Sequence, residues 1–431
     1  MNRNQSYLNV NSYWYEEVPD HWNKTKNKYV FQQDKEVVGS SWGDYVLLTM
    51  GKSGVKPRDM DGGGKFPESF ETYQKVSPNQ IIFCLFDIDE TPRTIGLSKD
   101  NGMITSAYDV FSTNKRQDPQ FWTYFYQIID DQKGLRPYYT GLRKVVRSET
   151  FMGIEVFSPP FEEQKLISRY LDKKTSLIDK LIQNIKKKIE LLNEQKTVLI
   201  NQYVTKGIDP NVESKDSGID WIGEIPKNWT LSKVNRVSDL VTDGSHHSPE
   251  TTEKGKNYVT VSNISQYQSI NFNSCSKISL DSFYRLEQEG CRPLKGDILI
   301  TKDGTIGRGC IVDNDDFVFL SSIGLIRLRK EYDQFYFLQF LLSNGSIQEM
   351  FSNIRGSGIT RLTINLIKNL PVLVPPINEQ KLISKKIKEI VKPINAMIEM
   401  NKKKLELIKE YRQSLIFSGV TGKIRITEDM L

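Results

Sequence analysis

The chain has 431 residues, 59 lysines and arginines against 53 aspartates and glutamates, and 38% hydrophobic and 10% aromatic content, which suits a soluble globular protein of two or three domains. A net charge of +6 is too mild to identify a nucleic-acid binder. No apolar run is long enough for a membrane span and no signal-peptide core opens the chain; four scattered cysteines and three histidines argue for a reducing cytoplasm and against a Cys/His zinc site.

In chain order, the first landmark is WYEEVPDHW at 14–22. A body follows with short apolar runs such as DYVLL and QIIFCLFDI, broken by Gly, Asp, Asn and Pro, which reads as β-rich. GKS at 51–53 resembles the end of a phosphate loop, but Val46 stands where its leading glycine belongs. SPPF at 158–161 resembles the motif with which adenine methyltransferases hold their target amine, yet serine replaces the required Asn or Asp. Glu163 and Lys165 open a helix with no upstream metal-binding aspartate on a strand, so a nuclease reading fails as well.

The predicted helix that follows SPPF places Leu171, Ile178, Ile182, Ile185, Ile189, Leu192, Leu199 and Tyr203 on an alternating 4-and-3 spacing, with Thr175 and Lys196 as polar interruptions. That is a coiled-coil seam. WIGEIPKNW at 221–229 then repeats the Trp-Pro-Trp landmark, and a second β-rich body carries GDILI and FVFLSSIGLIRLR. GTIGRG at 304–309 lacks the dinucleotide fingerprint, and His246-His247 reads as a polar loop pair. The second helix keeps the seam with Ile387, Val391, Ile394, Ile398, Leu405, Ile408 and Leu415; Asn401 and Arg412 interrupt it, and Asn401 is placed to fix its register.

The phrase EQKLIS stands at 163–168 and again at 379–384, each time after a Pro-Pro pair. Residues 157–206 align without a gap on 373–422. The chain therefore reads as a duplicated module. The expected fold is α+β: two β-rich domains alternating with two long helices that pair as an antiparallel coiled coil, related by a pseudo-twofold. The expected boundaries are 1–158, 159–210, 211–374 and 375–431.

TDGSHHSP (242–249), KGDILITKDGTIGR (295–308) and GSGITRLTINLIKNLPVLVPPINEQ (356–380), with DIDETPRTIGLSKDNGMITSAYDVF (87–111) in the first body, resemble a type I restriction–modification specificity subunit over essentially the whole chain. The resemblance implies a non-catalytic subunit whose two target recognition domains each read half of a bipartite, asymmetric DNA site. It implies helices that set the spacer and dock two methyltransferase subunits, with restriction motor–nuclease subunits joining them. No cofactor is expected in this chain; S-adenosylmethionine belongs to the methyltransferase, and ATP and Mg to the restriction subunit.

Residue chemistry and motif position nominate DNA contacts. In the first body these are Lys52, Ser53, Lys56, Arg58, Lys65, Arg93, Thr94, Tyr108 and Arg143. In the second they are Ser245, His246, His247, Lys302, Asp303, Thr305, Arg308, Arg355, Ser357, Thr360 and Arg361. The helices carry +5 over 163–206 and +7 over 379–425, leaving the remainder at −6, so DNA binding requires local basic patches. The lysine triplets at 186–188 and 402–404 are either solvated faces or contacts to acidic surfaces or phosphates. Two other classes stay open: a coiled-coil scaffold without DNA readout, and a stand-alone methyltransferase or nuclease.

Overall fold

A computed structural model describes residues 6–51, 54–59, 67–141, 144–352 and 361–431. The fold is α+β, and it divides into two compact units: Met1–Lys186 with Lys403–Leu431, and Lys187–Lys402. The helices used below are α1 (Pro119–Asp131), α2 (Phe161–Lys206), α3 (Gln334–Leu341) and α4 (Ile377–Val420).

The two units run through the same succession of elements. Each opens with a hairpin, Tyr7–Asn9 with Glu17–Pro19 in the first and Ser214–Asp216 with Glu224–Pro226 in the second. Each pairs its next strand with the strand that ends at Pro-Pro: Asn23–Lys26 with Glu155–Ser158, and Thr230–Lys233 with Pro371–Val374. Each has a four-stranded antiparallel sheet. In the first unit the order is Phe31–Asp34, Asp109–Thr113, Ile81–Phe83, Ile95–Leu97; in the second it is Ser238–Asp243, Ile323–Leu328, Ile298–Thr301, Gly309–Ile311. The units differ in what is added. The second has a further sheet built from Thr251–Thr252, Ser276–Ile278, Lys256–Val259 and Phe317–Phe319, with one parallel pair. The apolar run FVFLSSIGLIRLR therefore splits, its two halves joining different sheets.

Burial follows the alternation of apolar residues on each sheet face. The first core is aromatic, with Phe31, Phe83, Phe111, Trp122, Tyr126 and Phe151 all buried and Phe83 in ring contact with Phe111, Tyr126 and Phe151. In the second, Trp229 meets Tyr336 edge-on, and Ile298, Ile300 and Ile326 fill the sheet face.

The repeated phrase EQKLIS has a structural job in both places. Gln164 is buried; its amide donates to the Pro159 carbonyl at 2.9 Å, and its oxygen accepts the Asp118 backbone N–H at 2.8 Å. Asp118 is the N-cap of α1, accepting from Phe121 N at 2.7 Å and from Ser168 Oγ at 2.6 Å. The second copy does the same: Gln380 donates to the Pro375 carbonyl at 2.8 Å and accepts from Asp333 N at 3.0 Å, while Asp333 caps α3 through Tyr336 N and takes the Ser384 hydroxyl at 2.6 Å. The buried Gln thus satisfies a carbonyl left by the Pro-Pro pair and ties the start of a long helix to the cap of a short one. Ile167 and Ile383, three residues on, are buried beside these networks.

In each unit α2 and α4 run antiparallel. In the first, Leu171 shares a core with Leu415 and Val420, and Arg412 grips Asp179 with Nε–Oδ1 2.8 Å and Nη2–Oδ2 3.2 Å. In the second, Leu192, Ile394 and Ile398 form a cluster flanked by Ile189 and Leu199, and Val204 meets Ile383 and Ile387 in the core. The other seam positions, Ile178, Ile182, Val391, Leu405 and Ile408, are half-buried and Ile185 is buried. Asn401 is buried at its seam position, and its amide donates to the Met397 carbonyl one turn back on its own helix. α4 also continues through Pro393, which forfeits one backbone bond on an exposed face.

All four cysteines are buried and unpaired. Burial pushes the Cys291 thiol up to about 11 and the Cys310 thiol up to about 12, and raises Cys84 and Cys275 as well. Because the thiolate is the reactive form, an aromatic disulfide reagent at pH 8 is expected to label essentially no thiol in the native chain and all four after denaturation. Rapid native labelling would contradict this packing.

Candidate nucleic-acid interface

In the second unit three segments far apart in sequence meet at one end of the four-stranded sheet. Strand Ser238–Asp243 ends in the turn at 244–249, held by Ser245 N on the Phe319 carbonyl at 2.8 Å. Gly244 is required there, because a Cβ would lie 2.0 Å from that same carbonyl oxygen. The loop after Ile298–Thr301 turns through Gly304 and Gly307, both at positive φ, and Thr301 Oγ1 accepts from Arg308 N at 3.1 Å. Residue 361 bridges Asp303, and Leu362 N donates to the Lys302 carbonyl at 2.8 Å.

Ion pairs hold the three segments together. Lys302 Nζ lies 2.9 Å from Asp243 Oδ2, and Arg361 Nε lies 3.3 Å from Asp303 Oδ1. His246 Nε2 shares Asp243 at 3.2 Å. Arg361 keeps 47% of its side chain exposed, and His246, His247 and Thr305 are exposed beside it. These four, with half-buried Asp303, are presented to solvent as a polar patch fit to meet base edges and phosphates.

Two nominated contacts in this unit have other work, and a third faces away from the patch. Lys302 has only 3% of its side chain exposed and is spent on Asp243. Ser245 is buried, its hydroxyl donating to the His247 carbonyl at 2.6 Å. Arg308 is half-buried and turns away from the patch, donating from Nη1 to the Ile264 carbonyl at 3.3 Å. Arg355, Ser357 and Thr360 lie outside the described residues.

In the first unit, Lys56 and Arg58 are exposed on and just after the hairpin of Leu48–Gly51 with Gly54–Pro57. Tyr108 is half-buried, stacked on Phe86 at 6.1 Å. Arg93 and Thr94 are corrected to a structural role. Asp130 on α1 is buried, accepts Thr94 N at 3.0 Å and Thr94 Oγ1 at 2.7 Å, and pairs with Arg93 at 3.2 Å and Lys133 at 3.4 Å. Arg93 also reaches Asp131 at 2.9 Å. A buried carboxylate needs these partners, and it takes them from the very residues that motif position had assigned to DNA. Lys52, Ser53, Lys65 and Arg143 lie outside the described residues.

Among the described residues no group of His, Cys, Asp and Glu is arranged to hold a metal ion, and no helix is long and apolar enough to cross a membrane.

Residues 226–410 match the family described as type I restriction modification DNA specificity domain, a span that contains the whole three-segment patch. The type I restriction enzyme MjaVIII specificity subunit of Methanocaldococcus jannaschii is 25% identical over 91% of this chain and 94% of its own length. The chain is similar to type I restriction–modification specificity subunits over most of its length. The EcoBI specificity subunit of Escherichia coli is 23% identical over 65% of this chain and 60% of that protein. A chain from a solved structure concerned with complex assembly and conformational transition of the type I R-M system shares the fold, with a TM-score of 0.69 at 13% identity, covering 94% of this chain and 99% of that one. The family-matched segment spans most of the second unit, where Arg361 and its neighbours stand, and most of α4. Residues that motif position did not single out as contacts, Tyr267, Gln268 and Gln339, also organise this region. Gln268 and Gln339 exchange amide bonds at 2.7 and 3.3 Å, and Tyr267 Oη donates to Glu399 on α4 at 3.2 Å. No local pattern marked them.

Proposed function

We propose that this chain is a non-catalytic specificity subunit that reads DNA, each unit binding one half of a bipartite, asymmetric site. The observation that carries the reading is the convergence of 243–247, 302–305 and Arg361 into one solvent-facing polar patch, inside the segment matched by the family. The differing sheet composition of the two units supports unlike half-sites. The antiparallel pair α2–α4 serves as a coiled-coil spacer derived from an internal duplication, and docks two methyltransferase subunits. S-adenosylmethionine is bound by those subunits, and ATP and Mg by the restriction motor–nuclease subunits, in a cytoplasmic complex.

The test is to co-express the chain with its methyltransferase in a methylation-free host and map modified adenines by single-molecule sequencing. One bipartite motif that disappears without this chain is the expected result. A soluble co-purifying complex with no methylation would refute the reading. Within that assay, Arg361→Ala is expected to cost about 1–3 kcal/mol of discrimination at one position of one half-site, leaving the other half-site intact. Insertion of two helical turns into α2 is expected to lengthen the unread spacer while both half-sites persist, and an unchanged spacer length would remove the ruler role.

A further inference from the structure

The duplication that makes α2 resemble α4 is broken at one contact. In the first unit Arg412 is neutralised by Asp179 in a two-point ion pair. The aligned positions in the second unit are Lys196 and Asn395, so an amide stands where the carboxylate was; Lys196 Nζ donates to Asn395 Oδ1 at 3.2 Å and makes no ion pair among the described residues. This ammonium is half-buried, and burial pulls its pKa below the usual lysine value. A half-buried cation with its counter-ion removed is costly unless something anionic arrives.

A cleft opens beside Lys196. Its volume is about 200 Å³, and its walls include Lys196, Arg308, Gln268, Gln339, Asn201 and Ser265, with no carboxylate among the lining residues. Arg308, turned away from the base-reading patch, brings a second cation without an ion pair among the described residues. The reciprocal Gln268–Gln339 amide pair fixes the loop whose Ile264 carbonyl aims Arg308. A neighbouring groove of about 470 Å³ shares Lys196, Gln268 and Gln339, adds Lys388 and Lys392, and likewise has no carboxylate in its wall.

We propose that the Lys196–Arg308 cleft is a binding site for a backbone phosphate of DNA, a contact that carries no base information. The proposal rests on the DNA-reading function above and assigns Arg308 to phosphate and Lys196 to the same oxyanion. Two cations, several amide and hydroxyl donors and an acid-free wall match a phosphodiester, whose oxygens only accept. The small volume of the cleft, about 200 Å³, favours a single oxyanion over an acidic protein segment, which would bring its neighbouring side chains with it.

Asn395→Asp provides the decisive variant. The new carboxylate restores the ion pair of the first unit and occupies Lys196, so DNA binding weakens while the helix pair does not lose thermal stability. A purely structural role would move both quantities the same way. The measurement is the affinity of the complex with its methyltransferase for a duplex bearing the mapped site, from 50 to 200 mM salt, for wild type, Asn395→Asp, Lys196→Gln and Lys196→Arg. Losing one phosphate contact is expected to flatten the log–log salt slope by about 0.9, equivalent to roughly 3.5-fold across that salt range. Lys196→Arg retains the wild-type slope, and the methylated motif is unchanged in every variant. An unchanged slope in both Asn395→Asp and Lys196→Gln overturns the proposal. So does a loss of methyltransferase assembly with the DNA slope intact, which would place an acidic protein surface in the cleft. A wild-type complex with no sequence-specific binding at all would instead defeat the functional reading on which the site depends.

Discussion

Gln380→Leu is expected to destabilise the second unit by about 3 kcal/mol, because a buried carbonyl and a part-buried N–H lose their partners together. Leucine matches glutamine in size but leaves the Pro375 carbonyl and the Asp333 N–H unsatisfied, both now bonded to the Gln380 side chain at 2.8 and 3.0 Å. The loss propagates to the cap of α3, since Asp333 is the residue that accepts from Tyr336 N. For a unit of this size the corresponding calorimetric transition should fall by roughly 6–12 °C. Gln164→Leu should do the same to the first unit, through Pro159 and Asp118. A shift under 2 °C in either case would mean that water substitutes for the amide and that the repeated phrase is not a structural anchor.

Asp130→Ala is expected to cost the first unit about 3 kcal/mol or more, since it strips a buried N–H, a hydroxyl and two cations of one acceptor. Thr94 is buried and has no route to water, whereas Arg93 keeps Asp131 at 2.9 Å. Asp130→Asn should be milder, as the amide oxygen can still accept from Thr94. The same geometry predicts that Arg93→Ala lowers stability without changing the methylated motif. A changed motif with unchanged stability would return Arg93 to the DNA-reading surface.

The duplication, the two long helices and their seam were legible because each depends on local spacing. Apolar residues at alternating intervals of four and three can be buried only on one stripe, and Pro-Pro stops the strand and permits the helix wherever it occurs. The helices accordingly begin at Phe161 and Ile377, immediately after those pairs. The polar site was only partly legible. Arg361, His246 and Asp303 stand together as their motifs implied, but Lys302, Ser245, Arg93 and Thr94 are consumed by Asp243, His247 and Asp130. Glycine-rich text announces a loop, yet it does not say which way a cation in that loop will turn. Arg308 turns inward because a carbonyl from a loop some forty residues away is waiting there, and Lys196 has no counter-ion among the described residues because Asn395 crosses it from the other helix. From sequence alone, then, come the α+β class, the repeat and the paired helices, all set by short-range periodicity. Which charged side chains remain free for a ligand was decided by tertiary structure, because a buried charge takes the nearest complementary group in space, and that group is usually remote in the chain.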